Sequence, residues 1–221
     1  MDIDSKNDGM MRVLSFDVGI KNLPFCYFIK YDDDNDDNDT KRYKCKLIQW
    51  DIIKLESDTI SECTDEFYTR MMRGELFRFP LSDVDVVVIE SQIGTRNPKM
   101  LAISAMLHAL MRSQVSTNCK IVFENASRKF TRCRNTLYLT LPYDTKLAGT
   151  PAKRRMMTKA NSIYLTDYIL HLNESCEHWD HYACDHTLYT NGNLKIKENL
   201  SDAFLTGFGY TLSKYDAPRR R

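Results

Sequence analysis

The sequence predicts a mixed α/β fold: a five-stranded sheet, part antiparallel and part parallel, flanked by helices. Three strand-like segments follow one another near the start, which suits antiparallel pairing. From about residue 61 the patterns run helix, strand, helix, strand, helix, helix, which suits a parallel half. The length, 221 residues, is most simply one domain spanning 1–221 and is enough to bury a core.

In chain order, a short tail (1–11) leads into "RVLSFDVG" (12–19) and "FCYFIKY" (25–31), both strand-like. "YDDDNDDND" (31–39) is low-complexity and too acidic to pack, so it reads as a solvated hairpin loop; it lacks the Gly and terminal Glu of a calcium loop. "KCKLIQWDII" (44–53) reads as the third strand. Residues 61–78 look helical, with Ser61 as the capping candidate and acids in the first turns. "VDVVVIE" (84–90) is an unbroken β-branched run of the buried kind. Residues 97–114 form a helix pattern with Pro98 in the first turn and Met100, Ile103, Leu107, Leu110 and Met111 along one side.

"CKIVFE" (119–124) is the fifth strand, followed by a basic, irregular stretch. A helix is expected from about Thr150 to Leu172, with Met157, Ala160, Tyr164 and Tyr168 on one face. The last helix, 200–212, sets Leu200, Ala203, Phe204, Gly207, Phe208 and Thr211 in a core-facing stripe, before a basic tail (213–221).

Net charge is +1, so no global basicity marks a nucleic-acid binder, yet bases gather in "ASRKFTRCR", "AKRRMMTK" and "PRRR", and a near-neutral chain can own a basic face. No apolar run reaches the roughly 20 residues of a membrane span. The acidic N-terminus resembles neither a secretory signal nor a transit peptide. Seven cysteines without such a signal imply reduced thiols in an intracellular compartment. Cys176, His178, His181, Cys184 and His186 offer zinc donors, but without a CxxC pair or finger spacing a His-rich polar loop is the simpler reading.

Three acids stand at comparable places. Asp17 ends the first strand, Glu90 ends the fourth, and Asp202 opens the last helix. An acid ending an apolar strand is costly unless solvated, paired or bound to a cation. Sites in open α/β sheets gather beyond the carboxyl ends of parallel strands. Three carboxylates meeting there would raise one another's pKa unless a divalent cation neutralised them, and oxygen-only donors favour Mg²⁺ or Mn²⁺. Each acid alone also reads as a solvated loop residue. Asn199 and Asp202 read equally as N-cap and third residue of a capped helix.

These same residues carry a family resemblance. "FDVGIKNLPFCYF" is similar to the first motif of the RNase H-like Holliday junction resolvases, D-x-G-I-x-N-x-A, and "VVVIESQ" to their second, I-E-x-Q, with Gln92 included. "VFENASRK" resembles the strand and basic loop that follow in RuvC-type members. "KENLSDAFL" resembles the closing K-D-D-x-A-D-S-F-L motif of the poxvirus and fungal mitochondrial branch. The matches run in family order from residue 12 to about 210.

The resemblance implies an RNase H-like sheet and a homodimeric, Mg²⁺-dependent endodeoxyribonuclease that nicks four-way DNA junctions symmetrically, with no nucleotide cofactor and no membrane partner. It places Asp17, Glu90 and Asp202 on the family's metal-binding acids. Where the family has D-x-x-D, this chain has Asn199-x-x-Asp202. Asn199 can offer a carbonyl oxygen but no charge; Glu198, four residues before Asp202, is the candidate replacement, the alternatives being that three acids suffice or that cleavage is weakened or lost. Lys129 is the first candidate for a cation at the transition state and Lys153 the second, with phosphate positioning as the alternative for both. Arg96, Lys99, Arg128, Arg134, Arg154 and Arg155 are candidate phosphate contacts. Helix 97–114, richer in apolar residues than one face needs, is the candidate dimer interface, a buried core helix being the alternative. The branch also points to a large DNA virus and hence to a replication site in the host cytoplasm.

Overall fold

The computed structural model describes residues 9–31, 44–91, 98–137, 139–174, 189 and 191–215. The acidic loop, Gln92, Arg96, the Cys/His cluster, most of the N-terminal tail and the end of the basic tail lie outside the described residues.

The strands are β1 (Met10–Phe16), β2 (Asn22–Tyr31), β3 (Cys45–Lys54), β4 (Val86–Ser91) and β5 (Lys120–Asn125), in the sheet order β3-β2-β1-β4-β5. β1 pairs antiparallel with β2, and β2 with β3, whereas β4 runs parallel to both β1 and β5. This is the mixed sheet the sequence predicts. Its antiparallel half comes from consecutive segments and its parallel half from strands separated by helices.

Among the described residues, five α-helices flank it: α1 (Ile60–Met72), α2 (Pro98–Gln114), α3 (Ala126–Leu137), α4 (Pro151–Glu174) and α5 (Leu194–Thr211). Because side chains alternate along a strand, each face of the sheet has its own core. On one side Leu14, Phe16, Val87 and Ile89 pack with Phe67, Ile103, Leu107 and Met111 of α1 and α2. On the other, Val13, Phe28, Val86 and Val88 lie under Phe204, Leu205 and Phe208 of α5, with Leu165 and Ile169 of α4 completing the layer. α5 lies directly on β1. A Cβ at Gly207 would come within 2.7 Å of Ser15, and the buried Ser15 hydroxyl donates to the Ala203 carbonyl at 2.8 Å.

Several boundaries differ from expectation, each for a local reason. Thr59, not Ser61, caps α1, in a reciprocal capping box with Glu62. The helix stops at Met72, ahead of the expected 78, because Gly74 takes a positive φ of 70°. The basic stretch after β5, expected to be irregular, is α3. The buried side of α4 is formed by Asn161, Ser162, Leu165, Thr166, Ile169, Leu170 and Asn173, so the predicted face is rotated and Tyr164 is 39% exposed. Most consequentially, α5 starts at Leu194 with Asn193 as its cap, the Asn193 side chain accepting from the Ile196 amide. Asn199 is therefore a helix-interior residue and Asp202 does not open the helix. The predicted core stripe of this helix is buried throughout.

The five cysteines among the described residues, Cys26, Cys45, Cys63, Cys119 and Cys133, are buried and not joined in disulfides to one another. Among the described residues no helix is long and apolar enough to cross a membrane.

Candidate active site

The carboxyl ends of the three parallel strands bring the acids together. Asp17 directly follows Phe16, whose partner on β4 is Ile89, so it stands level with Glu90. Its backbone is tied to β2 by a hydrogen bond from the Asp17 amide to the Pro24 carbonyl, 3.1 Å. Glu90 is the penultimate residue of β4 and points to the face that α5 covers, as Val86 and Val88 do. Asp202 comes down onto this edge from α5.

Between them sits Lys129. Its ammonium lies 2.8 Å from Asp202 Oδ1 and 3.6 Å from Glu90 Oε1, and its side chain is 4% exposed. α3 holds it there by close approach to α5, where a Cβ at Gly209 would meet the Lys129 Cα at 2.9 Å. The glycine is what lets the two helices touch beside the acids.

The electrostatics follow from crowding. Burial pushes the Asp17 carboxyl well above the usual carboxylate range, and the charge of Glu90, a side-chain hydrogen bond with Glu90 and the charge of Asp202 push the same way; Lys129 opposes them. Burial alone would lower the Lys129 pKa, but Asp202, Glu90 and Asp17 outweigh it, so the ammonium is held above the usual lysine range. One fixed cation thus faces three acids.

Hard oxygen donors around an excess of negative charge suit a Mg²⁺-like ion, so the donor set fits the cation that the sequence implies. Among the described residues, no three His, Cys, Asp or Glu side chains already stand arranged to hold an ion. The Lys129 ammonium lies against two of the acids, and these side chains must shift for a cation to share them.

Two contacts escaped sequence reasoning. Ser162 of α4, fully buried, donates to Asp202 Oδ1 at 2.7 Å, the same oxygen that Lys129 holds. Glu198, the candidate replacement acid, forms an ion pair with Lys159 of α4, the two side chains being 20% and 30% exposed. Asn199 is half-buried on the same helix. A serine in a polar helical stretch gives no sequence signal; its role is visible only once α4 and α5 are packed together.

Most of the candidate phosphate contacts among the described residues lie near helix starts. Lys99 and Arg128 are exposed near the starts of α2 and α3, and Arg134 also lies on α3. Lys153, Arg154 and Arg155 are exposed in the first turns of α4, which has no acid there. Cations at the positive end of a helix are locally unfavourable, so helix stability does not account for them.

No protein-family model matches the sequence, and no curated protein does. Solved structures do. The fowlpox virus resolvase, solved with its substrate Holliday junction DNA, superposes with a TM-score of 0.51 at 18% identity, over 92% of this chain and 99% of that one. RuvC from Thermus thermophilus gives 0.55 at 13% identity, over 93% and 96%. The yeast mitochondrial Holliday junction resolvase Ydc2 gives 0.52 at 12% identity, over 91% and 78%. At such identities the likeness is one of fold, and it falls on the RuvC-type, poxvirus and fungal mitochondrial branches that the motifs resemble. The chain has the RNase H-like fold of the RuvC-type resolvases, a mixed five-stranded sheet flanked by helices.

Proposed function

We propose that this chain is a divalent-metal-dependent endodeoxyribonuclease that resolves four-way DNA junctions by paired nicks. The observation that carries the proposal is the convergence of Asp17, Glu90 and Asp202 around one buried lysine, on a fold shared with junction resolvases. Solved neighbours bound to Holliday junction DNA support the substrate class.

Asp17, Glu90 and Asp202 would hold Mg²⁺, with Mn²⁺ as a substitute. The bound ion supplies a lowered pKa for the attacking water and charge compensation for the leaving oxygen. The chain's own residues do the rest. The packing of β1, β4 and α5 fixes the three carboxylates, and Ser162 orients Asp202. Lys129 keeps its proton and presents a positive charge where charge builds up on the phosphate. Lys153, Arg154 and Arg155, with Lys99 and Arg128, bind the DNA backbone without reading bases, as suits an enzyme that recognises junction shape. The outward side of α2 carries Leu101, 47% exposed, with Ala105 and Ala109 one and two turns on, and is the proposed contact between two copies. Two-fold symmetry would set two sites on one junction.

A second reading, junction binding without cleavage, is favoured by one observation: residue 199 is neutral and Glu198 is engaged with Lys159. Incubation with a synthetic four-way junction, a linear duplex and an RNA–DNA hybrid separates the readings. Bilateral nicks in the junction support the proposal, hybrid degradation points to another nuclease of this fold, and bound junction without product supports the second reading.

A further inference from the structure

The parallel half of the sheet places one more acid beside the cluster. Glu124 on β5 is the register partner of Glu90 on β4, so the two side chains leave the same face of neighbouring strands, whose backbones run about 4.8 Å apart. With Asp17 level with Glu90, the ends of β1, β4 and β5 form a row of three acids, Asp17, Glu90 and Glu124. Opposite the row, α3 sets out two cations one turn apart. Lys129 meets Glu90, and Arg132 meets Glu124 Oε2 at 3.0 Å.

Glu124 is unusual in its satisfaction as well as its position. It is 6% exposed, yet its second oxygen, Oε1, is buried with no hydrogen-bond partner among the described residues. A buried carboxylate oxygen without a donor is disfavoured, and a donor, a water or a cation must complete it. The alternatives for a fourth acid are weaker: Asn199 carries no charge, and Glu198 is occupied by Lys159. Counting Asp202, four carboxylates face the two fixed cations Lys129 and Arg132. With all four ionised, two negative charges are left over, the charge of one divalent ion.

We infer that Glu124 is the fourth carboxylate of the cation site, supplied from β5 in place of an acid at position 199. This rests on the reading of the cluster as a divalent cation site. Arg132 holds Oε2 and anchors α3, while Oε1 is the oxygen offered to the ion. Glu124 thereby couples the position of Lys129, three residues before Arg132, to cation binding.

The test is direct binding of Mn²⁺ to the full chain, followed by calorimetry and by the loss of the free-ion EPR signal, without DNA. E124Q keeps the volume and can still accept from Arg132, so folding is checked by circular dichroism and melting in EDTA. If it does not fold, E124D, which keeps the charge but withdraws it by one methylene, replaces it. The expected result is Mn²⁺ binding about tenfold or more weaker in the variant, restored by adding N199D. Equal affinity in parent and variant overturns the inference, as does a loss that N199D fails to restore. If the parent itself binds no Mn²⁺, the metal-site reading fails rather than this assignment alone.

Discussion

Lys129→Met removes the charge at the centre of the acid cluster while keeping most of the stem's volume. The ammonium lies 2.8 Å from Asp202 and 3.6 Å from Glu90. At an effective dielectric constant of about 20, these attractions amount to about 6 and about 5 kcal/mol gross. Several kcal/mol for taking the ammonium out of water stand against them. The net effect of breaking such a buried pair is about 3–5 kcal/mol, which for a chain of this size is a fall in Tm on the order of 10 °C. The assay is thermal melting in EDTA at about pH 8.

Two further dependences identify the cause of that loss. The acids left behind repel one another only while ionised, so the deficit should shrink as pH falls and they protonate. Millimolar Mg²⁺ should also narrow it, because an ion bound only by the folded chain stabilises it by mass action. A variant that melts with the parent in EDTA would refute the argument. So would a deficit indifferent to both pH and Mg²⁺, which would mean that lost packing is the whole effect.

Other substitutions probe the same geometry. Asp17→Asn should raise the Tm of the metal-free protein: the folded pKa of Asp17 is raised, so its ionisation costs stability as pH climbs from the ordinary carboxylate value through the folded one. The gain should vanish near about pH 4 and grow toward neutrality, as melting curves across pH would show. Gly209→Ala forces a Cβ to within 2.9 Å of the Lys129 backbone and should destabilise by about 1–3 kcal/mol in denaturant titrations. Replacing Lys153, Arg154 and Arg155 together by Gln should weaken junction binding and lower the slope of log affinity against log salt by up to about 3, read by fluorescence anisotropy.

Much of the architecture was legible in the sequence because the relevant strands are unambiguous. The β-branched run before Glu90 and the apolar run before Asp17 fit a buried sheet, and an acid closing such a run stands out. α3 was not legible. "ASRKFTRCRNTL" is rich in serine, threonine and asparagine and has little apolar stripe, and its inward positions are held by the buried charges of Lys129 and Arg132 pairing with sheet acids. Hydrophobic periodicity under-reads a face on which two of the buried residues, Lys129 and Arg132, are cationic. The rotation of α4 has the same origin: Asn161, Ser162 and Asn173 are buried through hydrogen bonds, which an apolar count overlooks. The start of α5 was misplaced because two asparagines, Asn193 and Asn199, both fit a cap, and the apolar stripe begins only after the second. Glu124 was invisible as a site residue because its place depends on the β4–β5 register.

The most direct test of the account compares parent and Asp17→Asn on a mobile four-way junction, with binding and cleavage followed together across a Mg²⁺ titration. The parent should make symmetric paired nicks that require Mg²⁺ and cease in EDTA. The variant should bind the junction as well as the parent but form no product. A variant that cuts as fast as the parent, or a parent that binds the junction and never cuts it at any Mg²⁺ concentration, would contradict it.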